Sequence, residues 1–203
     1  MRLRVTIKTT DMPAMMQNFQ GTAEHYLDRL SSALAALDRA AIDHGVAVIH
    51  AAWQRGAQVI TLGNGGSSMT ALHFCTDWSK MIPMATGRPF LGRSLVDNMG
   101  LVMAYGNDVS FADVFSEQLK NILRSEDLVV AISGSGNSEN VIRAVDYANA
   151  RGAETLGLSG FSGGRLLEKA RHSIWVQSND MQICEDAHSI FGHIVMQKLC
   201  GRI

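Results

Sequence analysis

The chain is short of cysteine, with only Cys75, Cys184 and Cys200 among 203 residues. An odd number at irregular spacing argues against a disulfide framework and against a CxxC zinc site, and leaves buried free thiols. Charge imbalance is also missing. Eighteen Lys and Arg stand against 19 Asp and Glu, a net charge of −1, so no broad nucleic-acid surface is expected. No apolar run approaches the roughly 20 residues that span a bilayer. The N-terminus, Met1-Arg-Leu-Arg-Val-Thr-Ile-Lys8, is basic but has no apolar signal core, so a cytoplasmic protein without membrane contact is expected. The nucleotide motifs fail too. There is no GK[ST], and Gly63-Asn64-Gly65-Gly66-Ser67-Ser68 lacks the third glycine and the acidic partner of GxGxxG.

What is present reads as one globular α/β domain. Hydrophobic residues make up 46% and charged residues 18%, enough to close a core at this length. Residues 1–12 read as an arm or an added strand. Apolar positions from Phe19 to Leu37 recur at three and four, which predicts a long amphipathic helix within 13–37. A second helix is predicted from Asp38 to Gln54, ending at Gly56. Residues 1–55 thus form a helical arm for packing on the core or on another subunit, and His25, His44 and His50 read as surface or packing histidines. From residue 56 strands alternate with helices. Strands are predicted at Val59–Leu62, Arg93–Val96, Leu128–Ile132, within Gly152–Leu158, and at Ser173–Val176. Helices are predicted at 67–82, from Asn98 through Tyr105, at Phe111–Arg124, 138–150, Leu166–Ala170 and Glu185–Leu199, with Gly106-Asn107-Asp108 as a break. Such alternation gives a parallel sheet covered on both faces, with ligands beyond the carboxyl ends of its strands.

Two loops at such ends carry the chemistry. Gly63–Ser68 and Ser133-Gly134-Ser135-Gly136-Asn137-Ser138 each follow an apolar strand and precede a helix. Each presents backbone N–H groups and a positive helix end to an anion. The second adds the hydroxyls of Ser133, Ser135 and Ser138, which suits a phosphate monoester. Ser138 taken alone fits a helix N-cap equally well.

His73 and Asp77 stand at i and i+4 on one helical face. The pair suits a metal site, an acid/base pair or a plain solvated pair. Glu185, Asp186, His188 and His193 interrupt an otherwise apolar final helix. Two histidines and two carboxylates from these helices make a donor set common for divalent metals such as Zn²⁺.

With these residues in place, the sequence resembles the sugar isomerase (SIS) domain family and, within it, the phosphoheptose isomerases. The anchors are Gly63–Ser67, His73-Phe74 with Asp77, Gly106-Asn107-Asp108, Ser133–Ser138, Ser159-Gly-Phe-Ser-Gly-Gly164 and the helix from Glu185 to His193. The resemblance implies an SIS-type, Rossmann-like three-layer αβα sandwich behind N-terminal helices. It implies an aldose–ketose isomerase converting sedoheptulose 7-phosphate to D-glycero-D-manno-heptose 7-phosphate through an enediol. By position, Asn64, Gly65 and Gly66 would line the substrate, and Asn107 and Asp108 would contact its hydroxyls. Ser133, Gly134, Ser135 and Ser138 would hold the phosphate. His73, Asp77, Glu185 and His193 would ligate zinc or another divalent ion, with Asp77 and His193 as acid and base, and Asp77 and Glu185 beside the substrate. A homotetramer or dimer with sites at subunit interfaces is implied as well.

Three departures from the family pattern stand out: Asp77 for the usual Glu, Glu185 for the usual Gln, and Ser133-Gly134-Ser135 for Ser-Thr-Ser. They leave room for a related substrate such as an octulose 8-phosphate. A non-catalytic SIS protein that binds a protein partner would need neither the acid at 77 nor the histidine at 193. Glu185 and His193 also lie eight residues apart, about 12 Å along a straight helix. Either Glu185 precedes the helix, the side chains converge, or neighbouring subunits share the site.

Overall fold

The computed structural model describes residues 21–203. The expected arm at 1–12, and the first part of the helix expected from residue 13, lie outside the described residues. Five parallel strands run in the order β2-β1-β3-β4-β5. They are β1 (Val59–Gly63), β2 (Gly92–Ser94), β3 (Leu128–Ser133), β4 (Glu154–Ser159) and β5 (His172–Trp175). The helices are α1 (Ala23–Ala35), α2 (Arg39–Gln54), α3 (Gly65–Thr86), α4 (Met99–Asp108), α5 (Val114–Ile122), α6 (Glu139–Ala150), α7 (Gly164–Lys169) and α8 (Met181–Leu199). A short 3₁₀ turn, Phe111–Asp113, leads into α5.

The pleat divides each strand's side chains between two faces. Val130 and Ile132 of β3 join Ile49, Trp53, Phe74, Trp78 and Phe191 from α2, α3 and α8 on one face. Val129 and Ala131 join Phe115, Leu119, Val141 and Val145 from α5 and α6 on the other. The result is the expected three-layer αβα sandwich. Among the described residues no helix is long and apolar enough to cross a membrane.

Three of the boundaries that differ from expectation bear on predicted site residues, each for a local reason. Helix α8 starts at Met181 rather than Glu185, because the Asp180 carboxylate accepts from Gln182 N (3.0 Å) and Ile183 N (3.3 Å). Helix α3 starts at Gly65 rather than residue 67, so two glycines of the loop form its first turn. Helix α4 runs through Gly106-Asn107-Asp108 and stops only after Asp108. One glycine costs a helix only about 1 kcal/mol, too little to end it there. Helix α1 buries no residue; it is held on α8 by the Tyr26 hydroxyl donating to Asp186 (2.8 Å) and by an Arg29–Asp180 ion pair.

Candidate active site

Strands β1 and β3 are neighbours at the centre of the sheet, but the chain visits edge strand β2 between them. At such a reversal the loops leave in opposite directions and open a crevice. Gly63 pairs with Ile132, so the glycine loop and the serine loop stand side by side. A cavity of about 270 Å³ lies between them, lined by Asn64, Gly65, Gly66, Ser133, Gly134, Ser135 and Ser138 of the predicted set. Glu185 closes it from α8, together with Met181, which sequence reasoning did not single out.

The serine loop brings its hydroxyls together. Ser138 occupies the N-cap position of α6, yet its side chain makes no capping hydrogen bond. Its hydroxyl instead stands 3.3 Å from that of Ser133. Ser135 Oγ accepts from Asn137 N (3.2 Å), which shapes the turn. Gly136 has φ 67, and a Cβ there would fall 1.9 Å from Gly163 O. Only glycine fits that position.

The two loops are tied together by a pair of amides. Asn64 Nδ2 donates to Asn140 Oδ1 (2.8 Å) and Asn140 Nδ2 donates to Asn64 Oδ1 (3.0 Å). Asn140, at 2% exposure, also accepts from Val141 N. The Asn64 side chain is therefore a clamp between the loops. Asn140 was missed by the sequence reading, although a polar residue in the buried stripe of α6 was the available signal.

The second half of the chemistry lies farther along α3 and α8. His73 Nε2 stands 3.0 Å from His193 Nε2 and 3.2 Å from Asp77 Oδ2. Two donors bound to one tetrahedral ion at ordinary metal–ligand lengths lie about 3.3 Å apart. The three side chains thus offer donors spaced as a divalent metal requires, all within 4.8 Å of one another. Both imidazoles are exposed and Asp77 is half-buried, so the cluster is open to solvent.

Packing explains why these residues meet. Gly192 precedes His193 and Phe74 follows His73, and a Cβ on Gly192 would lie 2.0 Å from Phe74 Cε1. The missing side chain lets α8 settle onto the Phe74 ring, itself stacked on Trp78. Trp78 Nε1 then donates to Gly192 O (3.0 Å).

Other predicted residues are placed elsewhere. Glu185 lies within α8, so it does not precede the helix, and it is not among the three clustered donors. Its carboxylate rests on Gly66, where a Cβ would come within 2.2 Å of it. Asn107 and Asp108 end α4, exposed, with Asn107 Nδ2 donating to Asp108 Oδ1 (2.7 Å), and they do not line the cavity. His188 is buried at 1% exposure, and desolvation lowers its pKa to about 4. It is neutral, with Nε2 donating to Ser159 O (3.2 Å).

Comparison with known proteins places the chain in a family. The SIS domain matches residues 24–160. The phosphoheptose isomerase of Campylobacter concisus is 37% identical over 144 residues, spanning 71% of this chain and 76% of the relative. That of Rhodospirillum rubrum is 33% identical over 163 residues, spanning 80% and 84%. The structure of phosphoheptose isomerase from Neisseria gonorrhoeae superposes with a TM-score of 0.80 at 25% identity, covering 87% of this chain and 95% of that one. The Francisella tularensis structure superposes at 0.82 with 24% identity, covering 94% and 100%, a likeness of fold. With the domain matched over more than half its length and relatives above 30% identity spanning most of both chains, this chain belongs to the phosphoheptose isomerase family of SIS-domain proteins.

Proposed function

We propose that the protein interconverts sedoheptulose 7-phosphate and D-glycero-D-manno-heptose 7-phosphate, as a phosphoheptose isomerase. The observation that carries this is the meeting of His73, Asp77 and His193 at metal-ligand spacing in a chain that also builds a hydroxyl-lined anion cradle. Ser133, Ser135, Ser138 and the N-terminal amides of α6 hold the phosphate. Gly65 faces open space, with nothing within 4 Å of a Cβ there, and lets the sugar approach the backbone beside the Glu185 carboxylate on Gly66. The reaction takes a proton from C1 and returns one at C2 through the enediol. Asp77 or His193 is the base and the other the acid. Asp77 Oδ2 stands 3.2 Å from His73 Nε2, which sets the carboxylate beside an imidazole that can share its proton traffic. Zinc, or another divalent ion, held by His73, Asp77 and His193, would supply charge stabilisation for the developing enediolate oxygen.

The cluster has room for a further ligand, and Glu185 of the same helix stands about two turns away. We infer that Asn107 and Asp108 act across a subunit contact, in a dimer or homotetramer, while Glu185 serves the cavity of its own chain. Support comes from exposed apolar side chains. Met69, one turn before His73, is 56% exposed, and α4 buries nothing while exposing Leu101 and Met103. Helix α1, equally unburied, extends the candidate contact, with residues 1–55 as the arm and 56–203 as the SIS core. A dianionic sugar phosphate does not cross membranes unaided, and a cytoplasmic enzyme accords with that.

Incubation with sedoheptulose 7-phosphate tests the reading: aldose should accumulate, and a chelator should suppress it. Asp77→Asn and His193→Ala should abolish turnover in a folded protein. Near-wild-type rates in either variant would remove that residue from the acid/base pair, and no aldose from the metal-loaded wild type would refute the activity.

A further inference from the structure

The first two turns of α8 cover the crevice in an unusual way. Met181 and Glu185 are one turn apart on one face, and each lies on a glycine of a different loop. Glu185 rests on Gly66, and Met181 rests on Gly134, where a Cβ would meet Sδ at 2.2 Å and Cε at 3.1 Å. Gly134 is not among the positive-φ glycines, unlike Gly136. Nothing in the backbone at 134 calls for glycine; the space a Cβ would take there is filled by the Met181 thioether. The pair thus exchanges a side chain on the cradle for an apolar, flexible one reaching in from α8.

We propose that Met181, seated on Gly134, is the specificity-determining residue of the pocket and selects the chain length of the sugar phosphate. This rests on the phosphate-cradle reading of the serine loop. A phosphate held by Ser133, Ser135 and Ser138 and the C1 and C2 oxygens held at the His73–Asp77–His193 cluster would pin both ends of the ligand. An extra carbon can then be accommodated only by a sideways bulge. Met181 fills the space at the phosphate end where that bulge would go. The eight-carbon ligand is longer by one CH(OH) unit, and a difference of about one carbon changes selection by roughly tenfold in a fitted pocket. Met181→Ala removes three heavy atoms and opens that space.

The test uses two ligands that cannot isomerise, heptitol 7-phosphate and octitol 8-phosphate, titrated calorimetrically against the metal-loaded protein. Wild type should prefer the seven-carbon ligand, and Met181→Ala should shift the preference toward the eight-carbon one by roughly tenfold. Gly134→Thr should weaken both ligands by displacing Met181 into the cavity. The double variant Gly134→Thr/Met181→Ala should recover binding, because the obstructing side chain is gone. An unchanged preference in Met181→Ala, a double variant as weak as the two single losses combined, or a wild type that binds neither ligand would overturn the proposal. Isomerisation of sedoheptulose 7-phosphate is read separately. Its failure alongside the expected binding shifts would refute the activity and leave the selection by Met181 standing.

Discussion

A methyl group at Gly192 should separate the metal site from the fold that carries it. In Gly192→Ala the new Cβ would lie 2.0 Å from Phe74 Cε1 and 2.3 Å from Cδ1. Ordinary contact begins near 3.4 Å, so α3 and α8 must part by more than about an ångström or the ring must turn. Phe74 is fully buried and stacked at 4.7 Å on Trp78, which leaves the ring little freedom. Overpacking of this kind costs about 1–3 kcal/mol, offset by about 1 kcal/mol of improved helix propensity. The net loss, about 0–2 kcal/mol, lowers the melting temperature by only a few degrees in a chain of this size. The same displacement acts on His73 and His193, each adjacent in sequence to the contact and now 3.0 Å apart. Losing alignment of two ligands should weaken zinc affinity roughly tenfold to a hundredfold. Competition with a chromogenic chelator reads the affinity, and thermal unfolding of the metal-free protein reads the fold. Undiminished zinc affinity in Gly192→Ala would refute the idea that close α3–α8 packing sets the cluster.

Three other outcomes are expected. Asn140→Ala leaves the Asn64 amide unpaired; it should cost about 1–3 kcal/mol and raise KM for the sugar phosphate, both readable from unfolding and steady-state rates. Ser138→Ala should change stability by less than about 0.5 kcal/mol, below the usual loss at an N-cap, because its hydroxyl caps nothing, while phosphate affinity measured by calorimetry falls. His188 is neutral in the folded protein with its pKa lowered from 6.5 to about 4. Below pH 6.5 the unfolded chain takes up a proton that the folded one refuses until about pH 4. Stability should therefore fall by about 3 kcal/mol over that window as pH drops. His188→Gln should flatten that part of a denaturation-versus-pH curve.

The order of elements was legible because apolar runs bounded by glycine alternate with runs of helical period. Element ends were less so. Asp180 caps α8 through two backbone amides, and that cap moves Glu185 from the mouth of the helix into its second turn. The three weak helix formers at Gly106–Asp108 read as a break, yet tertiary contact with α5 and the following turn keeps them helical. The His73–Asp77 pair could be read from one-turn spacing alone. Its meeting with His193 could not, since it depends on a glycine admitting an aromatic ring from another helix. Nor could the partnership of Met181 with Gly134, where the relevant signal is an absent side chain 47 positions away.

The reciprocal amides of Asn64 and Asn140 also bear on how long the protein lasts. Asn64 is followed by Gly65, and an asparagine before glycine is the dipeptide most prone to deamidation. That reaction needs the side-chain carbonyl carbon to swing onto the next backbone nitrogen. With both ends of its amide engaged by Asn140, Asn64 is held out of that geometry. The contact that aligns the two loops therefore also guards a chemically fragile bond at the mouth of the crevice, where hydrolysis would place a new carboxylate beside the proposed phosphate site.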